Sequence, residues 1–231
     1  MRSRILVSAI VMLLGLPASA RAQRRVHPDA PHAGAVEVEA AALWTGGYDA
    51  GTSPANLTRN PSTGTAPLQL FQTSSRVSST PGGEFRLGVY LTPTLSVEGG
   101  VAYSRPSLET KASGDFESAP DATLSVSVAE YLIDASAVSQ FASIGRDRGG
   151  PFVSGGGGYL RQLYDGNVNL QTGSEFHGGG GLRYWLSEGR RRIGLRLEGR
   201  ASVRTHSIDP EQQQKKRRVL PVFSAGVVFV F

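Results

Sequence analysis

The stretch IGLRLEGRASVRTH, residues 193–206, decides the fold. Ile193, Leu195, Leu197, Ala201 and Val203 share one face at a period of two, and Arg196, Glu198, Arg200, Ser202, Arg204 and His206 share the other. Wound as a helix, the same residues would scatter leucines and arginines round the whole cylinder. The segment therefore reads as a strand with one apolar and one polar face.

The pattern recurs along the chain. Val36, Val38, Ala40, Ala42 and Trp44 alternate with Glu37, Glu39, Ala41 and Leu43. Phe85, Leu87, Val89 and Leu91 alternate with Glu84, Arg86, Gly88 and Tyr90, and Leu95, Val97, Gly99, Val101 and Tyr103 alternate with Ser96, Glu98, Gly100, Ala102 and Ser104. Between Leu124 and Ala137 the apolar phase slips from even to odd positions, which reads as a bulge near Ala129-Glu130 that turns Glu130 and Asp134 to the polar face. Residues 219–231 supply a last, less polar strand. The glycine runs 155–158 and 178–181 are followed by aromatic residues without helical period, so they are not phosphate-cradling loops. They read as neighbouring strands whose runs lie side by side about a turn centred on Val168, the glycines marking curvature or close approach. The alternative is a shallow groove on a lipid face, holding an acyl chain or a partner. Eight strands result.

The connections fix the architecture. Links 92–94, 139–150 and 187–191 alternate strictly with the generally longer links 49–81, 105–121, 165–173 and 207–218, which are rich in Ser, Thr, Pro, Asp and Gln. An up-and-down antiparallel sheet with longer loops at one end and shorter turns at the other is the organisation of a transmembrane barrel. The expected fold is all-β, an eight-stranded antiparallel up-and-down transmembrane β-barrel over residues 35–231. Its longest outer loop, 49–81, has the composition of a mobile surface.

The N-terminal residues 1–22 carry Arg2 and Arg4, an apolar stretch over 5–16 and an Ala-Arg-Ala ending, the pattern of a cleaved secretory signal peptide. Residues 23–34 are expected to be a flexible lead-in, and without cysteine no lipid anchor or disulfide framework is expected. Cleavage removes three arginines and no acid, taking the formal net charge from +5 to +2, so the basic precursor gives little reason to expect nucleic acid as a partner. After Ala22 no apolar run is long enough for a transmembrane helix. Membrane entry would have to use strands.

Alternation alone does not separate a membrane barrel from a soluble one, whose faces are reversed. Three features favour the membrane: the ending VVFVF, the loop asymmetry, and the aromatics Trp44, Tyr48, Tyr103, Tyr164, Tyr184 and Trp185 near strand ends, placed as an interfacial girdle. On these residues the chain resembles the small eight-stranded outer-membrane barrels that include the OmpA transmembrane domain, the OmpX/Ail group and OmpW. The resemblance covers residues 36–231. It implies an outer-membrane location, a monomer, contact with outer-membrane lipid and lipopolysaccharide, and recognition of Val227, Phe229 and Phe231 by the barrel insertion machinery as the assembly signal.

The polar face then becomes the lumen. It collects Glu37, Glu39, Glu98, Glu130, Asp134 and Glu198 against Arg86, Arg183, Arg196, Arg200 and Arg204, with His177 in addition. Eight strands leave an interior that side chains can fill, and charges survive there when paired. A plug of ion pairs is therefore expected; a hydrated lumen with solvated charges is the alternative. Lys215, Lys216, Arg217 and Arg218 fall in the last outer loop and are candidate contacts for lipopolysaccharide phosphates, against the plain reading of a solvated tip.

Catalytic, cofactor and metal residues are not expected. His206 and Ser207 are adjacent and point oppositely in a strand, His177 with Ser174 and Glu175 forms no complete triad in sequence, and His27 and His32 stand apart before the first strand. The expected function is non-enzymatic: a structural or surface-interaction role through the outer loops. The alternative is a narrow porin-like channel or a conduit for small hydrophobic molecules, with a lipid A-modifying enzyme third.

Overall fold

The computed structural model describes residues 31–57, 68–141, 148–164, 170–187, 191–206 and 216–231. The signal segment 1–22 and most of the lead-in 23–34 lie outside them. The described residues form eleven strands: β1 Val36–Thr45, β2 Tyr48–Leu57, β3 Leu68–Val77, β4 Thr80–Thr92, β5 Leu95–Ser104, β6 Ser107–Ser113, β7 Ala122–Gln140, β8 Gly149–Tyr164, β9 Leu170–Trp185, β10 Arg192–His206 and β11 Lys216–Val230.

Eight of these close a ring of antiparallel neighbours in the order β1-β4-β5-β7-β8-β9-β10-β11 and back to β1. The seam runs from Glu37 opposite Val230 to Thr45 opposite Val222, and below it Val36 and Phe231 exchange backbone hydrogen bonds of 3.3 and 2.9 Å. Closure leaves the ring without an edge. The tight turn after β4 is held by Thr92, whose Oγ1 accepts the backbone N–H groups of Thr94 and Leu95 at 3.3 and 3.0 Å.

The remaining strands correct the expectation of loops at 49–81 and 105–121. β2, β3 and β6 pair in the order β2-β3-β6-β7 and continue three staves of the barrel, beside the upper part of β7, as a four-stranded sheet beyond its rim. The staves β1/β2, β3/β4 and β5/β6 break at Gly46-Gly47, Ser78-Ser79 and Arg105-Pro106. Hydrogen bonds stitch this line: Gly46 donates to the Pro221 carbonyl at 2.8 Å, Ser78 to Ser107 at 2.9 Å and Val128 to Pro106 at 2.9 Å. A side chain at Gly47 would collide with the Val77 carbonyl, so the closest approach on this line requires glycine.

The proposed bulge in β7 is absent. Its pairing with β8 runs through Ala129 and Glu130 without a register shift, and its pairing with β5 is regular up to Glu130. Even positions face inward throughout, and Leu124, Val126 and Val128 simply make the inward face apolar above the charged level. The glycine runs are also offset from the expected register. Gly155 faces Gly178, but Gly156 to Gly158 face His177, Phe176 and Glu175.

Candidate functional site

Strand parity sends one set of side chains inside the ring and the other out. The inward set is closed at its lower end by Ala35, Tyr90, Trp185, Val228 and Val230, a buried apolar cluster. Trp185 was expected in the outer girdle; it is 3% exposed, with the guanidinium carbons of Arg183 and Arg192 lying 5.6 and 5.7 Å from its ring centre. Its odd position on β9 puts it on the same face as Arg183, where it stacks under cations rather than lipid.

Above this layer the ion pairs begin. Arg183 donates to Glu37 at 2.7 Å and to the Tyr90 hydroxyl at 2.6 Å, and Tyr90 in turn donates to Glu37 at 2.6 Å. Arg196, whose side chain has no exposed surface, donates to three carboxylates: Glu39 at 2.9 Å, Glu98 at 2.8 Å and Glu198 at 2.8 Å. The Phe152 ring covers the guanidinium at 4.7 Å, and the Ser154 hydroxyl donates to the other oxygen of Glu198. Arg86 reaches Glu84 at 2.6 Å and Asp134 at 3.3 Å, and Arg200 grips both oxygens of Glu84 at 3.0 and 2.9 Å. At the top, Arg204 bridges Glu175 and Glu130, both at 2.6 Å, while Gln162 donates to Glu130 at 2.9 Å.

Leu43, Leu220 and Val222 close the upper end, with Tyr48 and Ala102 packed against them. Burial, and after it the carboxylate of Glu130, raises the Tyr48 phenol to about 12, so it stays neutral at the base of the outer sheet. Between the Arg200 and Arg204 levels lies a void of about 10 Å³. That is room for about one water.

Glu84, Glu175 and Arg192 belong to this interior although the expected lumen set omitted them. The signal was present: Glu84 shares parity with Arg86, Glu175 with His177, and Arg192 with Arg196. With them the buried described residues hold eight carboxylates against six guanidiniums. Tyr90, Ser154 and Gln162 complete the pairing: each donates to the second oxygen of a carboxylate, Glu37, Glu198 or Glu130, whose first oxygen takes an arginine.

Folding also assembles a serine, a histidine and a glutamate that the sequence left apart. The Ser136 hydroxyl is 3.0 Å from His177 Nε2, and His177 Nδ1 is 3.8 Å from Glu175. The second distance exceeds a hydrogen bond, and Nδ1 has no partner. Ser136 is 3% exposed and lies 3.4 Å from both Arg86 and Asp134. A nucleophile needs a path for its substrate, and this one is locked into the ion-pair network between two apolar seals.

The outward face is the opposite of a water-soluble surface. Ile133, Phe176 and Phe223 are 60, 63 and 55% exposed, among many large apolar side chains standing round the ring. Such a belt is what a transmembrane barrel presents to lipid. Trp44 packs on Phe223 at 5.7 Å and Tyr103 on Tyr131 at 5.0 Å, on the outside. Val227, Phe229 and Phe231 also point outward along the seam strand. Of the basic run, Lys215 lies outside the described residues, Lys216 is described only in its backbone, and Arg217 is exposed. Arg218, the last residue of the run, faces the outer mouth of the barrel. It is half-buried, donates to the Ala50 carbonyl at 2.7 Å and lies 6.0 Å from the centre of the Tyr48 ring, because even positions of β11 face inward.

The chain matches no family model and no curated protein. Among solved structures it is similar to the crystal structure of the outer membrane protein OprG from Pseudomonas aeruginosa, with 13% identity, a TM-score of 0.55, and coverage of 88% of this chain and 99% of that one. It also matches the solid-state NMR structure of the outer membrane protein AlkL in lipid bilayers, with 16% identity, a TM-score of 0.36, and coverage of 87% and 92%. The likeness to OprG is one of fold: a closed, eight-stranded antiparallel barrel.

Proposed function

We propose that the chain is an outer-membrane barrel of a bacterium with two membranes, closed to ions, that acts without catalysis from its outer side through the sheet β2-β3-β6-β7. The observation that carries this reading is the interior: buried ion pairs fill it between two apolar layers, so the surface free to do work is the sheet beyond the rim. On this reading residues 1–22 are removed at export, the insertion machinery reads Val227, Phe229 and Phe231, and the barrel is a monomer in contact with lipid and lipopolysaccharide.

A second reading, capture of a small apolar molecule at the outer mouth, is favoured by one feature. The inward face of the sheet, including Phe71, Thr73, Val77, Leu108, Leu124 and Val126, carries no charged side chain among the described residues.

The chain has no cysteine, so single cysteines report position cleanly. On intact cells a membrane-impermeant maleimide is expected to label Ser74→Cys in β3, and to label Thr92→Cys at the opposite end only after the outer membrane is opened. Replacing residues 50–75 by a short glycine-serine link is expected to leave a folded barrel whose cells adhere like cells without the protein. Equal labelling of the two cysteines contradicts the location, and unchanged adhesion contradicts the surface role.

A further inference from the structure

A depression on the outside of the ring lies below two unpaired cations. Ala40, Gly83, Phe85, Val101, Tyr103 and Tyr131 line an apolar groove of about 610 Å³, within the range of roughly 300–1,000 Å³ usual for ligand sites. Its floor exists because Gly83 has no side chain: a Cβ there would meet nothing within 4 Å. Register sets Tyr103 opposite Tyr131 on β5 and β7, and Tyr131 opposite Arg161 on β8. Arg105 directly follows β5, so two guanidiniums stand beside and above the tyrosine pair that walls the groove.

Both arginines are exposed, and neither has a hydrogen bond or ion pair among the described residues. The outward positions of β5, β7 and β8 carry no Asp or Glu. This is unlike the interior, where every buried arginine among the described residues is engaged. An apolar cleft edged by aromatic rings, with unneutralised guanidiniums at its upper end, is complementary to a lipid whose acyl chain hangs from a phosphate-bearing head group at the depth of the interface.

We propose that this face binds a phosphate-bearing glycolipid of the outer leaflet, one acyl chain lying in the groove over Gly83 and a phosphate held by Arg105 and Arg161. The site is separate from the basic run 215–218, and the proposal rests on the membrane reading above. A Cβ at Gly83 meets nothing within 4 Å, so Gly83→Leu puts a side chain into the groove without a backbone clash, blocking the chain site while leaving both arginines in place. The double variant Arg105→Gln/Arg161→Gln removes the phosphate site and leaves the groove.

The test uses the mature chain refolded in phosphatidylcholine vesicles, with folding checked by heat-dependent gel mobility. It is incubated with bis-phosphorylated lipid A or with the same lipid dephosphorylated, and retained lipid is counted by native mass spectrometry. The native chain is expected to retain the phosphorylated form at least tenfold better. The arginine double variant is expected to lose that preference, and Gly83→Leu to retain neither form above background. Equal retention of the two lipids by the native chain overturns the proposal, as does full retention by either variant. A chain that folds in vesicles but shows no phosphate preference sinks the proposal alone; a chain that never enters vesicles sinks the membrane reading with it.

Discussion

Arg196→Ala is expected to cost the barrel more stability than any other single truncation of a lumen charge. The substitution leaves Glu39, Glu98 and Glu198 buried and facing one another, where each had a guanidinium partner within 2.9 Å. Breaking a buried pair by removing one partner costs about 3–5 kcal/mol, and here three carboxylates lose the same partner. Arg200→Ala is expected to cost less, because Glu84 keeps Arg86 at 2.6 Å. Arg217→Ala, on an exposed side chain, is expected to be near neutral. Urea midpoints followed by heat-dependent gel mobility should fall in that order. Equal midpoints for the three variants would mean that the network contributes nothing to folding.

Trp185→Ala is the second large effect. The ring packs with Tyr90, Val228 and Val230 and lies under two arginines, so truncation opens the lower seal and leaves a cavity. Losing a buried tryptophan side chain costs about 3–5 kcal/mol. Tyr184→Ala, one residue earlier and outward, is expected to change the midpoint far less, since its ring is half exposed and the surrounding lipid can fill the gap. The contrast is informative because a girdle residue and an interior residue predict opposite rankings for this adjacent pair. A larger effect at Tyr184 would place the tryptophan outside.

Much of this was legible in the sequence. The ring of eight staves follows from alternation, because a narrow interior of charges and an exterior of large apolar groups mark every stave with the same period of two. Individual faces of Arg86, Glu98, Arg196 and Arg200 could be read for the same reason. The outer sheet could not be read that way. β2 and β3 mix polar and apolar residues on both faces, and their order rests on backbone ladders and on a few apolar contacts such as Val77 opposite Leu108. The slip in β7 looked like a bulge because the inward face changes from charged to apolar as the strand leaves the barrel, a change of environment that sequence parity alone reads as a change of geometry.

The glycine runs were illegible for a different reason. Register is fixed by side chains that must face a core, and a run of glycines has none to fix it. The observed offset answers to bulky neighbours. A Cβ at Gly181 would run into the Phe152 ring, and one at Gly179 into the side chain of Arg200. These inward glycines make room for the groups that fill the lumen, and nothing local to the runs shows which groups those are. Glu84 and Glu175 were readable by parity; the meeting of Ser136 with His177 required knowing that β7 and β9 both face a barrel only eight strands wide.

The sealed interior is tested most directly by single-channel recording of the refolded mature chain in a planar bilayer, with gel mobility confirming that it has folded. A folded barrel that stays electrically silent at neutral pH is the expected result, since buried ion pairs fill the interior between two apolar layers. Steady conductance that changes on neutralising Arg196 or Glu198 would contradict it, placing those residues in a water-filled pore.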